Sequence, residues 1–305
     1  MRYLDPKNDL TFKKIFGEHP HLLISFLNNV LPLEAGRKIL SIEYLPAELT
    51  PSIPLFKHSI VDVRCKDNED RQFIVEMQML WTNSFMNRVL FNASKAFVKQ
   101  LEKGEQYELL QPVYAVSLVN QNFDLETDAY FHHYKIVNIE MPDKLMTGLE
   151  FVFIELPKVK ARNLKDRALG VLWLRFMAEI KDLDESISAE FLEHKELKEA
   201  SDILMESAFN SAELESYDRY WDSISVEKTI WYDARKEGLT EGREEGKIEG
   251  KIEGKIEGKI EGKEEERDEI VGRAYGEGVS IPLISKITGI SEKEVEVILR
   301  RLGLI

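Results

Sequence analysis

Asp62, Glu76 and Gln78 are the residues of this chain whose types and spacing point most directly to chemistry. Glu76 and Gln78 alternate within RQFIVEMQML, a run with strand period, so their side chains leave one face about 7 Å apart. The preceding run, HSIVDVRC, alternates too. It sets Ile60, Asp62 and Arg64 on one face and Val61, Val63 and Cys65 on the other. Between the runs, Asp67 to Asp70 (DNED) is a turn signal. If the runs pair antiparallel across that turn, counting back from Asn68 sets Asp62 opposite residues 74 to 76, within reach of Glu76. Two carboxylates on one face of otherwise apolar strands are costly unless something neutralises them. A divalent cation does so through hard oxygen ligands: the two acids, a backbone carbonyl, water and a substrate phosphate oxygen. Such a cation lowers the pKa of a water and offsets charge building on phosphorus when a phosphodiester is attacked. Gln78 would orient the water or hydrogen-bond a phosphate oxygen, but it brings no positive charge. The residues alone leave a plainer reading open, in which both acids are ordinary charges on a solvent-facing sheet edge.

Arg88, in the helical stretch that follows, is either a surface cation or, if it faces Glu76, a group able to hold a phosphate with two parallel donors. His132 and His133 adjoin in a strand pattern, so they point to opposite faces and cannot share one metal without distortion. Cys65 is the single cysteine. That excludes an intramolecular disulfide, a zinc knuckle and a CxxC pair, and the residue reads as a small buried hydrophobe. The 41 Lys and Arg against 55 Asp and Glu give a formal charge of -14. This argues against a surface that is a cationic nucleic-acid platform throughout, yet leaves room for a local basic groove or an acidic, metal-loading pocket. No apolar run approaches the roughly 20 residues that a membrane-crossing helix needs. The first residues, MRYLDPKNDLTFKK, have no apolar stretch after their basic ones, so no secretory signal and a reducing cytoplasm are expected.

The elements that must position these residues follow from periodicity. NDLTFKKIFG sets Phe12, Ile15 and Phe16 on one helical face, and His21 to Val30 forms an apolar-faced helix that Pro32 stops. After the strand pair, a helix is expected from Asn83 to about Lys103, with Phe85, Val89, Asn92, Ala93, Ala96, Val98 and Leu101 along its buried stripe and Gly104 ending it. PVYAVSLVN reads as a covered inner strand, and YFHHYKIVNIE and LEFVFIEL as two more. Helix, strand pair, helix, strand and two further strands make an α/β domain with a mixed sheet. From about Asn163 to Lys236 the pattern is helical, with Leu172, Phe176 and Ile180 in one stripe and Leu214, Tyr217, Trp221 and Ile224 in another. Its tryptophans, tyrosines and methionines read as core, and no organic cofactor site is expected.

From Gly238 to Gly262 a glycine recurs every fourth residue, and after Gly246 the unit is GKIE. As a helix, this stretch loses about 1 kcal/mol per glycine against alanine, and its i,i+4 neighbours are like-charged. Ile248, Ile252, Ile256 and Ile260 spiral round such a helix, where a heptad seam would keep to one side. A helical linker that firms on association and a flexible tether both remain open. Beyond it, Ser280 and Ser291 are N-cap candidates, Glu294 completing a capping box with Ser291. Ile284, Ile287, Ile290, Val295, Ile298 and Leu299 form the expected core of a small helix–turn–helix-like module. The second helix of that module is acidic at the end that would enter a major groove, which favours packing over groove reading.

Asp62, followed fourteen positions later by Glu76-Met77-Gln78, resembles the D…(D/E)xK core of the PD-(D/E)XK nuclease superfamily, in a variant with glutamine for lysine. Asn8–Gly17, Leu22–Leu31, Val75–Met79, Arg88 and Gly104–Val119 together resemble the bacterial recombination-promoting nucleases, also described as transposase-like, and so does the Gly-Lys-Glu-rich tail. The clear likeness covers about residues 1 to 160. It implies a restriction-endonuclease-like core and a cytoplasmic, Mg2+-dependent DNA endonuclease linked to recombination, with Mn2+ substituting. Asp62 and Glu76 then fall on the metal-binding acids and Gln78 on the usual lysine position. Asp9 and Lys13 fall in an N-terminal D..FK element near the site. One departure is Asn92, where the family often has tyrosine. The organisation expected is a nuclease-like domain over 1–160, a helical extension over 161–237, the repeat over 238–266 and the helical module over 267–305. DNA is the expected partner, with a homodimer formed through the repeat. The rival function is a catalytically weak or inactive DNA-binding, regulatory or oligomerising relative of the same fold.

Overall fold

The computed structural model describes residues 2–34, 36–47, 61–102, 104–160, 168–181 and 186–305. Two helices open the chain, α1 (Asp9–Glu18) and α2 (Pro20–Val30). Asn8 caps α1 by accepting the Leu10 N–H at 3.0 Å, and Pro20 occupies the first turn of α2, where its missing N–H costs nothing. Six strands follow among the described residues: β1 (Ile42–Tyr44), β2 (Val63–Asp67), β3 (Gln72–Gln78), β4 (Val113–Val119), β5 (Phe131–Val137) and β6 (Leu145–Glu155). They form one mixed sheet in the order β1-β2-β3-β4-β6-β5. β1 pairs antiparallel with β2, β2 with β3, and β5 with β6, while β4 is parallel to both β3 and β6. Parallel neighbours need a crossover, and α3 (Asn83–Val98) supplies it between β3 and β4.

Each face of the sheet buries a different partner. Val63, Phe73, Val75, Met77, Val116 and Leu118 join Phe12, Phe16, Phe26 and Trp173 in the main core, so α1, α2 and α4 (Leu169–Glu179) cover that face. Ile74, Ala115 and Phe153 pack with Phe85, Val89, Ala93 and Ala96 of α3 on the other. β4 is buried almost end to end, as its run of β-branched residues requires. The helices after residue 160 are thus part of one core with the sheet, and α5 (Ala189–Leu192) and α6 (Lys195–Ile203) add Phe191, Leu197 and Ala200 to it. Leu172, Phe176, Ile180 and Tyr217 are buried as the periodicity predicts.

The 66-residue helix α7 (Ser211–Gly276) includes the whole glycine repeat. The chain divides into two compact units, Met1–Lys228 and Thr229–Ile305, and the boundary falls within this helix. In the second unit, Val271 packs with Ile284, Val295, Ile298 and Leu299 from α8 (Ile281–Thr288) and α9 (Glu292–Arg301). Ser280 and Ser291 are both N-caps, and the capping box with Glu294 is complete. The four repeat isoleucines are exposed.

Several sequence expectations change. β1, which the sequence reading does not anticipate, is too short to show a period. The crossover helix stops at Val98, because Gln100 turns to make paired bonds with the Gln111 backbone at 2.9 and 2.8 Å. Val98 is therefore exposed, and Gly104 takes its positive φ of 97° in the loop beyond. Ile287 is exposed rather than in the core of its module. Val61 packs with the α3 side, apart from Val63, because β2 begins only at Val63. Ile60, Lys103 and residues 163–167, on which other expectations fall, lie outside the described residues.

Candidate functional site

The β2–β3 turn comes first, because it sets the register. Asp67 Oδ1 accepts the backbone N–H groups of Glu69 and Arg71, both at 3.0 Å. Its Oδ2 receives the Arg71 guanidinium at 2.8 and 2.6 Å, with both side chains buried. Asp70 adopts the left-handed conformation, φ 58°, that such a turn needs. The resulting ladder pairs Val63 with Val75. Asp62, one residue before β2, therefore comes beside Glu76, and its Oδ2 accepts the Met77 N–H at 2.7 Å.

Glu76 is 5% exposed. Asn92 of α3 donates to its Oε1 at 3.1 Å. Its Oε2 is buried and makes no hydrogen bond among the described residues, and Arg88 Nη2 stands 3.9 Å from it. The neighbouring Ser117 hydroxyl, across the parallel ladder from Glu76, is likewise buried without a hydrogen bond among the described residues. Gln78 is held from both ends. Its Nε2 donates to the Leu80 carbonyl and its Oε1 accepts from Arg88 Nη2, both at 2.6 Å. The Arg88 guanidinium also lies over the Phe85 ring, 4.9 Å from its centroid.

Asp9, Asp62, Glu76, Met77, Gln78, Arg88 and Tyr220 line one cavity of about 200 Å³. Asp9 pairs with Lys13 at 2.7 Å on the exposed side of α1. Burial pushes the Asp62 carboxyl up to about 6, against the Met77 hydrogen bond; Asp9 adds to the rise and Lys13 and Arg88 oppose it. Burial, and then the charge of Asp62, push Glu76 up to about 7, opposed by Arg88 and Asn92. The structure thus brings Asp62, Glu76, Gln78, Arg88 and Asp9 to one place, with Lys13 close enough to act through its charge. His132 and His133 are not there. His132 meets Glu155 at 2.7 Å and His133 meets Glu150 at 2.8 Å, two separate pairs on alternate sides of β5. Cys65 is buried, and burial raises its thiol to about 12.

Among the described residues no group of three or more His, Cys, Asp or Glu is arranged to hold a metal. The donor set is smaller: two carboxylates with raised pKa values and one buried oxygen lacking a hydrogen bond. That fits Mg2+, which commonly takes one or two protein carboxylates and completes its shell with water and substrate phosphate. Sequence reasoning missed Tyr220. It lies far along the chain, in a helical region whose aromatic residues read as core but outside the stripe of Leu214, Tyr217, Trp221 and Ile224, and no local signal marks it for a site.

Among the described residues no helix is long and apolar enough to cross a membrane. The model of the family described as PD-(D/E)XK nuclease family transposase matches residues 6–228. This reaches beyond the stretch over which the sequence motifs are clear and takes in the helices up to and including the segment that carries Tyr220. No curated protein and no solved structure matches the chain. A mixed sheet flanked by helices, the paired acids at the end of its central hairpin and a family match over most of the chain agree: the chain belongs to the PD-(D/E)XK nuclease family of transposases.

Proposed function

We propose that the protein is a metal-dependent DNA endonuclease that hydrolyses phosphodiester bonds and promotes DNA recombination. The observation that carries this reading is the buried Asp62–Glu76 pair, in which Glu76 Oε2 lacks a hydrogen bond. Like charges held this close are destabilising without a counter-charge. Asp62 and Glu76 would hold Mg2+, with Mn2+ able to substitute. When bound, the ion supplies positive charge against the negative charge developing on the phosphate. The chain's own residues do the rest. The Met77 N–H and the Asn92 amide fix one oxygen of each acid, which orients the carboxylates before any ligand arrives. Gln78, immobilised by Leu80 and Arg88, can orient water or donate its second amide N–H to a phosphate oxygen, but it adds no charge. Arg88 brings the positive charge among the lining side chains, and a guanidinium can hold a phosphate with parallel donors.

A second reading, a non-cleaving DNA-binding, regulatory or oligomerising protein, draws support from one feature. Position 78 carries an amide already engaged by Arg88, where the superfamily usually has lysine. Supercoiled plasmid separates the two. The expected outcome is nicked and linear product with Mg2+ or Mn2+ and none with EDTA, with Asp62→Ala and Glu76→Ala each abolishing product while the fold survives. If both variants cut like wild type, these acids are not the site. A wild type that shifts DNA on a gel but never cuts it establishes the second reading.

A further inference from the structure

A phosphodiester entering the cavity meets mostly acceptors. Asp9, Asp62 and Glu76 present carboxylates, the Met77 N–H is taken by Asp62, and the Gln78 amide donates to Leu80. An anion needs donors, and besides the second N–H of the Gln78 amide the lining side chains that can supply them are Arg88 and Tyr220. Resting on the nuclease reading above, we propose that the Tyr220 hydroxyl is a catalytic donor to a non-bridging oxygen of the scissile phosphate, working with Arg88 where the family's usual lysine is missing.

Three observations support this role. First, Tyr220 lies on α7, an element distinct from the sheet and from α3, yet it lines the same cavity as the paired acids. Second, it is firmly held. Tyr217, one turn earlier, receives the Asn8 amide on its carbonyl at 3.1 Å, and its hydroxyl accepts the Asp5 N–H at 2.9 Å. Lys14 pairs with Glu213 at 2.6 Å, and the Trp221 ring stands edge-on to Tyr220 at 5.5 Å. The contacts of Tyr217 and Glu213 tie this end of α7 to the segment that also carries Asp9. Third, a phenol hydroxyl is an uncharged donor at neutral pH. A neutral donor suits the place. It can bind phosphate without repelling a cation held by the two acids, which a lysine at position 78 would do.

The test uses the full-length chain carrying Tyr220→Phe, which keeps the ring and removes only the hydroxyl. Two readouts are taken with Mn2+ present: single-turnover cleavage of plasmid and equilibrium binding of thymidine 3′,5′-bisphosphate. Mn2+ affinity and melting temperature are measured alongside. The expected result is a cleavage rate lower by on the order of ten- to a hundredfold and weaker bisphosphate binding, with Mn2+ affinity and melting temperature unchanged. Wild-type cleavage and binding by the variant overturn the inference and leave the nuclease reading standing. A fall in melting temperature or Mn2+ affinity that parallels the loss of cleavage also overturns it, because the hydroxyl would then serve only the fold. A wild-type chain that never cuts, yet binds the bisphosphate through this hydroxyl, overturns the nuclease reading and supports the phosphate contact. One that neither cuts nor binds overturns both.

Discussion

At the scale of residues, the Asp62–Glu76 pair is a cost to the fold that the proposed cation would relieve, and the cost has a definite pH dependence. Both carboxyls sit above their ordinary values, at about 6 and about 7. Between pH 4 and 7 the folded chain therefore keeps protons that the unfolded chain has released. Stability must fall as pH rises through that window, and below it the penalty is absent. Glu76→Gln removes the larger part. In EDTA the variant should match wild type near pH 4 and exceed it near pH 8 by on the order of 2 kcal/mol, as measured by urea unfolding. Added Mn2+ should then raise wild type and leave the variant unmoved. A variant less stable than wild type at pH 8 would mean that Glu76 is well solvated or already paired. Much of this pair was legible in the sequence, because strand alternation and a count back from a turn are local operations. Tyr220 was not. Its place depends on how a distant helix docks, and no nearby spacing encodes that.

At the scale of elements, the glycines separate packing from propensity. Gly170, in the first turn of α4, lies so close to α2 that an added Cβ would stand 2.1 Å from the Asn29 carbonyl oxygen. Backbone must move to admit it. Gly170→Ala should cost about 3 kcal/mol, the upper range for overpacking a rigid contact. Gly254, within the repeat, has open space where a Cβ would stand, with nothing within 4 Å, so Gly254→Ala should stabilise α7 by about 1 kcal/mol. Thermal melts of the two variants should move in opposite directions. A destabilised Gly254→Ala would imply that the glycine face of the repeat is covered in solution. The order of β2 to β6 with the crossover helix α3 was readable from period, whereas the three-residue β1 was not. The end of α3 was not, because it is decided by a side chain–backbone exchange between Gln100 and Gln111, a contact that leaves no periodic trace. The register of the central hairpin likewise depends on the buried Asp67–Arg71 clamp, which in the sequence reads only as charged turn residues.

At the scale of the whole molecule, the proposed nuclease, with a net charge of -14, would have to meet a polyanion, so its encounter with DNA would need help from metal, from a local cation such as Arg88 or from a second subunit. Every described residue lining the candidate site precedes Lys228 and belongs to the first compact unit. The repeat's isoleucines are exposed along α7. These isoleucines spiral and form no heptad seam, but two such helices could pair a lysine stripe with a glutamate stripe, and two-fold dimers are the commonest oligomers. Cleavage of both DNA strands is favoured when two sites are presented together. Deletion from Gly238 onward should therefore leave a folded chain that binds Mn2+ like the full-length protein. It should self-associate less, and linear product from plasmid should fall more than nicked product. Light scattering beside the plasmid assay measures both quantities. Equal mass and an equal ratio of linear to nicked product in the truncated and full-length chains would make the repeat a passive tether, and double-strand cleavage would then have to come from successive nicks by one site.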